Sequence, residues 1–115
     1  MFNNQTVLPA LSNFKAIKKF LKTDLEYGIL VDFQLAEVGH IIKDLKENGK
    51  KLLIHIDLIK GLKADEYGAI HLIQNHQVDG IISIKPKVIE NAKKRGIKTM
   101  QRIFLKDSIS LHQSL

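Results

Sequence analysis

The segment KKLLIHIDLIKGLKADEYG, residues 50–68, decides the fold. Its core, residues 52–59, is a predicted buried strand, because strands covered on both faces read as continuous Val, Ile and Leu. Side chains alternate between the two faces of a strand, so Leu53, His55 and Asp57 share one face and the other face is wholly apolar. Burying ionisable groups is costly unless they are paired. The pattern therefore indicates a strand whose carboxyl end opens into a site.

A short apolar strand followed by an amphipathic helix recurs along the whole chain. Alternation of this kind, with connections of a few residues, favours a parallel sheet with crossover helices. The predicted fold class is α/β, with about five parallel (β/α) units in a single domain, residues 1–115. Two architectures stay open at this point: an open doubly wound sheet, and five units of an incomplete (β/α)8 barrel of the TIM type. Strands are predicted at residues 6–11, 27–33, 52–59, 80–84 and 98–105.

Local signals set the ends of several elements. Pro9 cannot donate to a ladder, which predicts that the first strand stops there or lies at a sheet edge. Ser12 or Asn13 can cap the first helix, and Asp107 or Ser108 can cap a fifth helix at the end of the chain. The third and fourth helices are predicted at residues 65–77 and 86–95. Residues spaced for buried helix faces include Phe14, Ile17, Phe20 and Leu21 in the first helix and Tyr67, Ile70 and Ile73 in the third.

Composition narrows the class of protein. The chain of 115 residues has no cysteine, so disulfides and thiolate sites are excluded. No apolar run approaches the roughly 18 residues that span a membrane, and the N-terminus does not resemble a signal peptide, so we expect a cytoplasmic protein with no membrane partner. Lys and Arg number 18 against 12 Asp and Glu, a net charge of +6. This excess favours polyanions such as nucleic acid, although lysine-rich helix faces can equally serve solubility alone.

Polar side chains gather where the predicted strands end, and in both architectures ligands bind at the carboxyl ends of parallel strands. In the second strand we expect Ile29, Val31 and Phe33 on the face packed against helices, which leaves Leu30 and Asp32 on the interior face. In the fifth strand either Gln101 or Arg102 could point inward. The candidate residues at the strand ends are Asp32, His55, Asp57, Ser83, Lys85, Gln101 and Arg102.

Several chemistries fit these residues. His55 and Asp57 could form an acid/base pair, a buried ion pair that fixes strand ends, or part of a ligand pocket. Metal binding would need Asp32 as a third ligand, and no cofactor is expected. His71 and His76 are five residues apart, which predicts that they do not share a helix face. No glycine-rich phosphate motif is present, and a turn is the simpler interpretation of Lys60-Gly61.

Five blocks, in order along the chain, resemble one known family: VLPAL, DLEYGILVDF, KKLLIHIDLIKGLKADEYGA, GIIS and GIKTMQRIFLKDS. This family is that of the glycerol-3-phosphate-responsive mRNA antiterminators, regulators of glycerol uptake operons. The resemblance implies a cytoplasmic (β/α)8-type barrel that binds glycerol 3-phosphate as effector and acts on leader mRNA, with no catalytic residues and no metal. It also implies that Asp32, His55, Asp57 and Arg102 lie at or near the mouth of a ligand pocket.

The chain departs from that family in length. Family members continue with further (β/α) units, so we expect a C-terminally truncated member whose phosphate-binding loops are largely missing. Strands at the open ends of such a sheet expose unpaired backbone, which predicts self-association. Two other interpretations of the sequence are a small α/β enzyme acting on a phosphorylated sugar, with Asp57 and His55 as acid and base, and a fragment without independent function.

Overall fold

The strands of the sheet lie side by side in the order in which they occur along the chain. The computed structural model describes residues 8–102 and 111–114. The first five strands are parallel to their neighbours, and the sixth is antiparallel to the fifth. A doubly wound sheet reverses its strand order at a switch point, whereas sequential order is that of a (β/α) barrel. The fold is therefore an incomplete (β/α) arrangement.

The elements have the following bounds. The strands are β1 (Ala10–Leu11), β2 (Tyr27–Leu30), β3 (Lys51–His55), β4 (Gly80–Ser83), β5 (Lys98–Arg102) and β6 (Leu111–Ser114). The helices are α1 (Phe14–Leu21), α2 (Leu35–Glu47), α3 (Glu66–Asn75) and α4 (Pro86–Lys94), with a 3-10 turn at Ile56–Leu58. No helix in the described part of the chain is long and apolar enough to cross a membrane.

The two faces of the sheet carry separate apolar clusters. On the helix-side face, Leu30, Ile54 and Ile81 pack with the buried side chains of all four helices. On the opposite face, which we call the interior face, the cluster contains no helix residue. The strand register aligns these rows, since Ile29 pairs with Leu53 and His55 pairs with Ile82. The interior cluster consists of Tyr27, Ile29, Val31, Leu53, Ile82 and Met100.

Side chains near the starts of α1, α2 and α3 fix the first turn of each helix. Asn13 accepts a hydrogen bond from the Ala16 amide at 2.8 Å, which selects it over Ser12 as the cap of α1. Gln34 and Glu37 form a capping box on α2, and Asp65 accepts from the Gly68 amide at 2.9 Å on α3. These caps orient the segments that connect the carboxyl ends of the strands to the helices.

The faces predicted for the second strand were wrong for Ile29, Leu30 and Val31, and Asp32 does not lie on the interior face. Ile29 and Val31 lie in the interior cluster, Leu30 lies on the helix side and Asp32 is exposed. Phe33 does pack on the helix side, as expected. The strand ends at Leu30, and Asp32 has a left-handed backbone with φ of 62°. Alternation of faces holds only while the backbone is extended, so the parity changes across Asp32.

The third strand is also shorter than predicted. β3 ends at His55, and the backbone turns through the 3-10 segment Ile56–Leu58 before it reaches Ile59. Leu53 and His55 share the interior face as predicted, but Asp57 reaches His55 from this turn and not from a continuing strand. β1 begins after Pro9 where a stop was predicted, although β1 does lie at the sheet edge.

Two helix-face predictions and one helix prediction were wrong. Tyr67 is 73% exposed and Phe14 is 52% exposed, although both were expected to be buried. The residues of α3 that are buried are Gly68, Ala69 and Leu72. Leu111–Ser114 is a strand and not part of a fifth helix. The predicted caps of that helix and the end of the fifth strand, residues 103–108, lie outside the described residues.

Candidate functional site

His55 and Asp57 come together at the carboxyl end of β3. Nδ1 of His55 lies 3.5 Å from Oδ2 of Asp57, and their side chains are only 3% and 7% exposed. Oδ2 of Asp57 also accepts a hydrogen bond from the Ile84 amide at 3.0 Å. One carboxylate oxygen therefore binds the backbone just after β4 and lies beside the imidazole of β3, which brings the ends of two neighbouring strands together.

The second carboxylate oxygen of Asp57 has a different environment. Oδ1 is buried, and no donor within the described residues forms a hydrogen bond to it. An unsatisfied buried acceptor costs about 1–3 kcal/mol, and more when it is charged. Such an oxygen is suited to accept a hydrogen bond from a bound hydroxyl group. The carboxylate thus has one structural oxygen and one that can contact a ligand.

Asp32 and Arg102 are placed less directly. The Asp32 side chain is exposed at the end of β2, and its amide donates to the Leu58 carbonyl at 2.8 Å, which joins this loop to the turn that carries Asp57. Its positive φ is a conformation that aspartate tolerates better than most residues. Arg102 ends β5, but its side chain lies outside the described residues. Met100 faces the interior, so alternation assigns Gln101 to the helix side.

The remaining strand-end candidates have structural contacts. Ser83 is fully buried, and its Oγ accepts from the Lys85 amide at 3.0 Å. Nζ of Lys85 donates to the Ala64 carbonyl at 2.9 Å and so joins the loop after β3 to the start of α4. Gly61 has φ of 86°, which confirms the turn predicted at Lys60-Gly61. These contacts position the loops around His55 and Asp57.

The opposite end of the interior face carries a cluster of polar side chains that the sequence analysis did not predict. Nζ of Lys98 lies 2.5 Å from the Tyr27 hydroxyl and 4.7 Å from its ring centroid. Nζ of Lys51 lies 5.4 Å from the same ring, and the Tyr27 hydroxyl raises the pKa of Lys51, with Glu26 adding to this effect. Tyr27 is 1% exposed, so this cluster closes the amino-terminal end of the interior face.

Metal binding has no support in the described part of the chain, where no three His, Cys, Asp or Glu side chains converge. His71 and His76 do approach each other, with ring centroids 5.0 Å apart, although their spacing predicted otherwise. His76 is the C-cap of α3, so its side chain leaves the helix and turns back toward His71. Burial lowers the pKa of His76, and the neighbouring His71 lowers it further.

Comparison with known proteins identifies similar chains. The family model for the glycerol-3-phosphate responsive antiterminator matches residues 7–115. The crystal structure of a glycerol uptake operon antiterminator regulatory protein from Listeria monocytogenes is 37% identical, with a TM-score of 0.86 over 92% of this chain and 57% of that one. That of a glycerol uptake operon antiterminator-related protein from Thermotoga maritima is 30% identical, with a TM-score of 0.77 over 94% of this chain and 59% of that one.

A curated relative without an assigned function is also similar. The uncharacterized protein YgcP of Escherichia coli K12 is 26% identical over 112 residues, which are 97% of this chain and 59% of that protein. The chain thus spans about three-fifths of the length of the relatives that it matches. The likeness to the two crystal structures extends over the sequential parallel sheet described above.

Proposed function

Because the chain belongs to the glycerol-3-phosphate responsive antiterminator family, we propose that it is an RNA-binding regulator of glycerol metabolism genes that responds to glycerol 3-phosphate. Its partner is the leader mRNA of a glycerol operon, where bound protein prevents early termination of transcription. The effector occupies the carboxyl ends of the parallel strands, the location at which barrels of this type bind ligands. His55, Asp57, Asp32 and Arg102 are the residues that we assign to its pocket.

The observation that carries this proposal is the state of the Asp57 carboxylate. Oδ2 is already engaged by the Ile84 amide, and Oδ1 is buried without a donor within the described residues. A glycerol hydroxyl is a neutral donor of the right size for Oδ1. His55, held 3.5 Å from Oδ2, supplies a second polar group beside it. Arg102 supplies the positive charge that would complement the phosphate.

A regulatory role accounts for the pair better than acid/base catalysis does. The members of an acid/base pair are joined by a hydrogen bond of about 2.6–3.2 Å, whereas Oδ2 of Asp57 lies 3.5 Å from Nδ1 of His55 and accepts from the Ile84 amide. The net charge of +6 suits an RNA partner. We therefore assign binding and orientation of the effector, and not turnover, to His55 and Asp57.

The test combines effector and RNA binding on the same 115-residue chain. Calorimetry measures glycerol 3-phosphate binding, and fluorescence anisotropy measures binding of labelled leader RNA with and without the effector. We expect glycerol 3-phosphate to change the RNA affinity of the wild-type chain. Asp57→Asn removes a charged acceptor at nearly constant shape, so we expect at least about tenfold weaker effector binding with unchanged RNA binding in its absence.

Asp44→Asn is the matched control, because Asp44 is a 56% exposed carboxylate on α2 whose ion-pair partner is His40, at 3.4 Å. Effector binding by this variant should equal that of the wild type. Equal effector affinities for Asp57→Asn and Asp44→Asn would remove Asp57 from the pocket. A wild-type chain that binds neither glycerol 3-phosphate nor RNA would refute the proposed function.

A further inference from the structure

We propose that the outer face of α1 is the surface that contacts RNA, an inference that rests on the RNA-binding function proposed above. This lysine face consists of Lys15, Lys18, Lys19 and Lys22, which recur at the spacing of one side of a helix. All four side chains are exposed, while Ile17 and Phe20 bury the opposite side of the helix against the sheet. The partner is single-stranded or looped RNA.

The charge of the lysine face is not neutralised within its helix. α1 contains no acidic residue, and none of the ion pairs formed among the described residues involves it. α4 also carries basic residues, but there Lys94 pairs with Glu90 at 3.8 Å. From Lys15 to Lys22 the face extends about 10 Å along the helix, which matches a few consecutive phosphates of one strand.

A buried lysine strengthens the positive potential at the far end of this helix. Nζ of Lys50 donates to the carbonyls of Thr23 at 2.8 Å and Leu25 at 2.5 Å, just beyond the end of α1, and lies 4.8 Å from the Phe20 ring centroid. The carboxyl end of a helix normally carries partial negative charge. Lys50 counters that charge, so the potential along α1 stays positive up to Lys22.

An exposed aromatic ring adjoins the lysine face. Phe14 is 52% exposed and lies one turn before Lys18 at the start of α1. Its ring is fixed from one side by an edge-to-face contact with Phe33, at 5.2 Å between centroids. Exposed aromatic rings beside basic side chains stack unpaired bases in proteins that bind single-stranded nucleic acid. The combination favours unpaired RNA as the occupant of this surface.

The test uses the whole chain and measures leader-RNA affinity as a function of salt. The variant Lys15→Gln/Lys18→Gln/Lys19→Gln/Lys22→Gln keeps helix propensity nearly constant while it removes four charges. We expect the slope of log affinity against log salt to decrease in magnitude by about 3, since each phosphate contact to a single strand contributes about 0.7. The charge-matched control, Lys87→Gln/Lys93→Gln/Lys94→Gln/Arg95→Gln on α4, should change the slope by less than about 1.

A second pair of variants separates stacking from charge. Phe14→Leu keeps an apolar contact to Phe33 but removes the ring, and we expect about tenfold weaker RNA binding at an unchanged salt slope. Tyr67→Leu on α3, which replaces an even more exposed ring, should leave binding unchanged. Far-ultraviolet circular dichroism and melting curves verify that all four variants are folded.

The outcomes distinguish this inference from the function on which it rests. The assignment to α1 would be overturned by equal slope changes for the α1 and α4 variants, or by equal affinities for Phe14→Leu and Tyr67→Leu. The proposed function would still stand in that case, provided that the wild-type chain binds RNA. Absence of salt-dependent RNA binding by the wild-type chain would overturn both.

Discussion

At the scale of single residues, Gly68 shows why the motif DEYG ends in glycine. A Cβ at this position would lie 2.1 Å from the Lys63 carbonyl oxygen, which is backbone and cannot move aside without displacing the loop. The same loop carries Asp65, whose side chain caps α3 through the Gly68 amide. Glycine is therefore required by a close approach of two backbone segments between β3 and α3.

We predict that Gly68→Ala destabilises the fold by at least about 2 kcal/mol, because the loop must shift to admit the methyl group. Urea denaturation measures the change. Gly39→Ala is the matched control within α2, where the added Cβ would lie 2.9 Å from atoms of the His76 ring. A side chain can move and alanine favours the helix, so we expect a much smaller effect there. Equal destabilisation by both substitutions would contradict this explanation.

At the scale of elements, the contact between α2 and the end of α3 is expected to depend on pH. The His76 ring packs against Gly39, beside a groove of about 410 Å³ whose charged residues are Lys43, Lys46 and Glu47. Nζ of Lys46 donates to the Gln77 carbonyl at the edge of this groove. Partial burial and His71 both lower the pKa of His76 from its usual value of 6.5. The folded chain therefore favours neutral His76.

The sign of the pH effect follows from this lowered pKa. Well above pH 6.5 the imidazole is neutral in the folded and unfolded chains, so it contributes no pH dependence there. Below that value the unfolded chain binds the proton first, and the free energy of unfolding decreases as the pH falls. Urea denaturation from about pH 7.5 to about pH 5.5 should show this loss, and His76→Gln should reduce it.

His40→Gln is the control for that measurement, since His40 is a 78% exposed histidine on α2 that pairs with Asp44. It should leave the pH dependence due to His76 in place. If His76→Gln and His40→Gln alter the pH dependence equally, the packing of His76 between α2 and α3 is not its cause.

At the scale of the whole molecule, the sheet formed by the described residues has edges at β1 and β6. The carbonyls of Pro9 and Leu11 accept from the amides of Ile29 in β2 and of Val31 just after it, so the polar groups of Ala10 point away from the sheet. An edge of this kind can pair with another chain. On the other side, β6 is antiparallel to β5 and pairs with all of its residues from Thr99 to Arg102.

We predict that the chain self-associates through β1, with a mass above that of the 13.1 kDa monomer in light scattering coupled to size-exclusion chromatography. Ala10→Lys places a charge at the exposed edge and should shift the chain toward monomer. Asn91→Lys adds the same charge on α4, a helix and not an edge strand, and should not. A wild-type chain that is monomeric at all concentrations would refute the prediction.

The sequence predicted the fold class and the family, but it predicted the local geometry of the site only in part. Alternating apolar strands and amphipathic helices determined the α/β class, and the ordered blocks around LIHIDLIKGLKADEY determined the family. The pairing of His55 with Asp57 was also accessible, because two ionisable residues in an apolar strand need a partner. The cluster of Tyr27, Lys51 and Lys98 was not, since its members come from three strands and only the register aligns them.

The sequence by itself determined the order of the strands and helices, because hydrophobic periodicity is a property of consecutive residues and does not depend on tertiary contacts. Only the tertiary structure decided where the strands end and which faces their last residues occupy. Asp32 adopts its left-handed backbone with its amide bonded to Leu58, and the turn at Asp57 is held by the Ile84 amide. These hydrogen bonds join segments about 26 or 27 residues apart. The site at the end of β3 therefore exists only once neighbouring units have packed together.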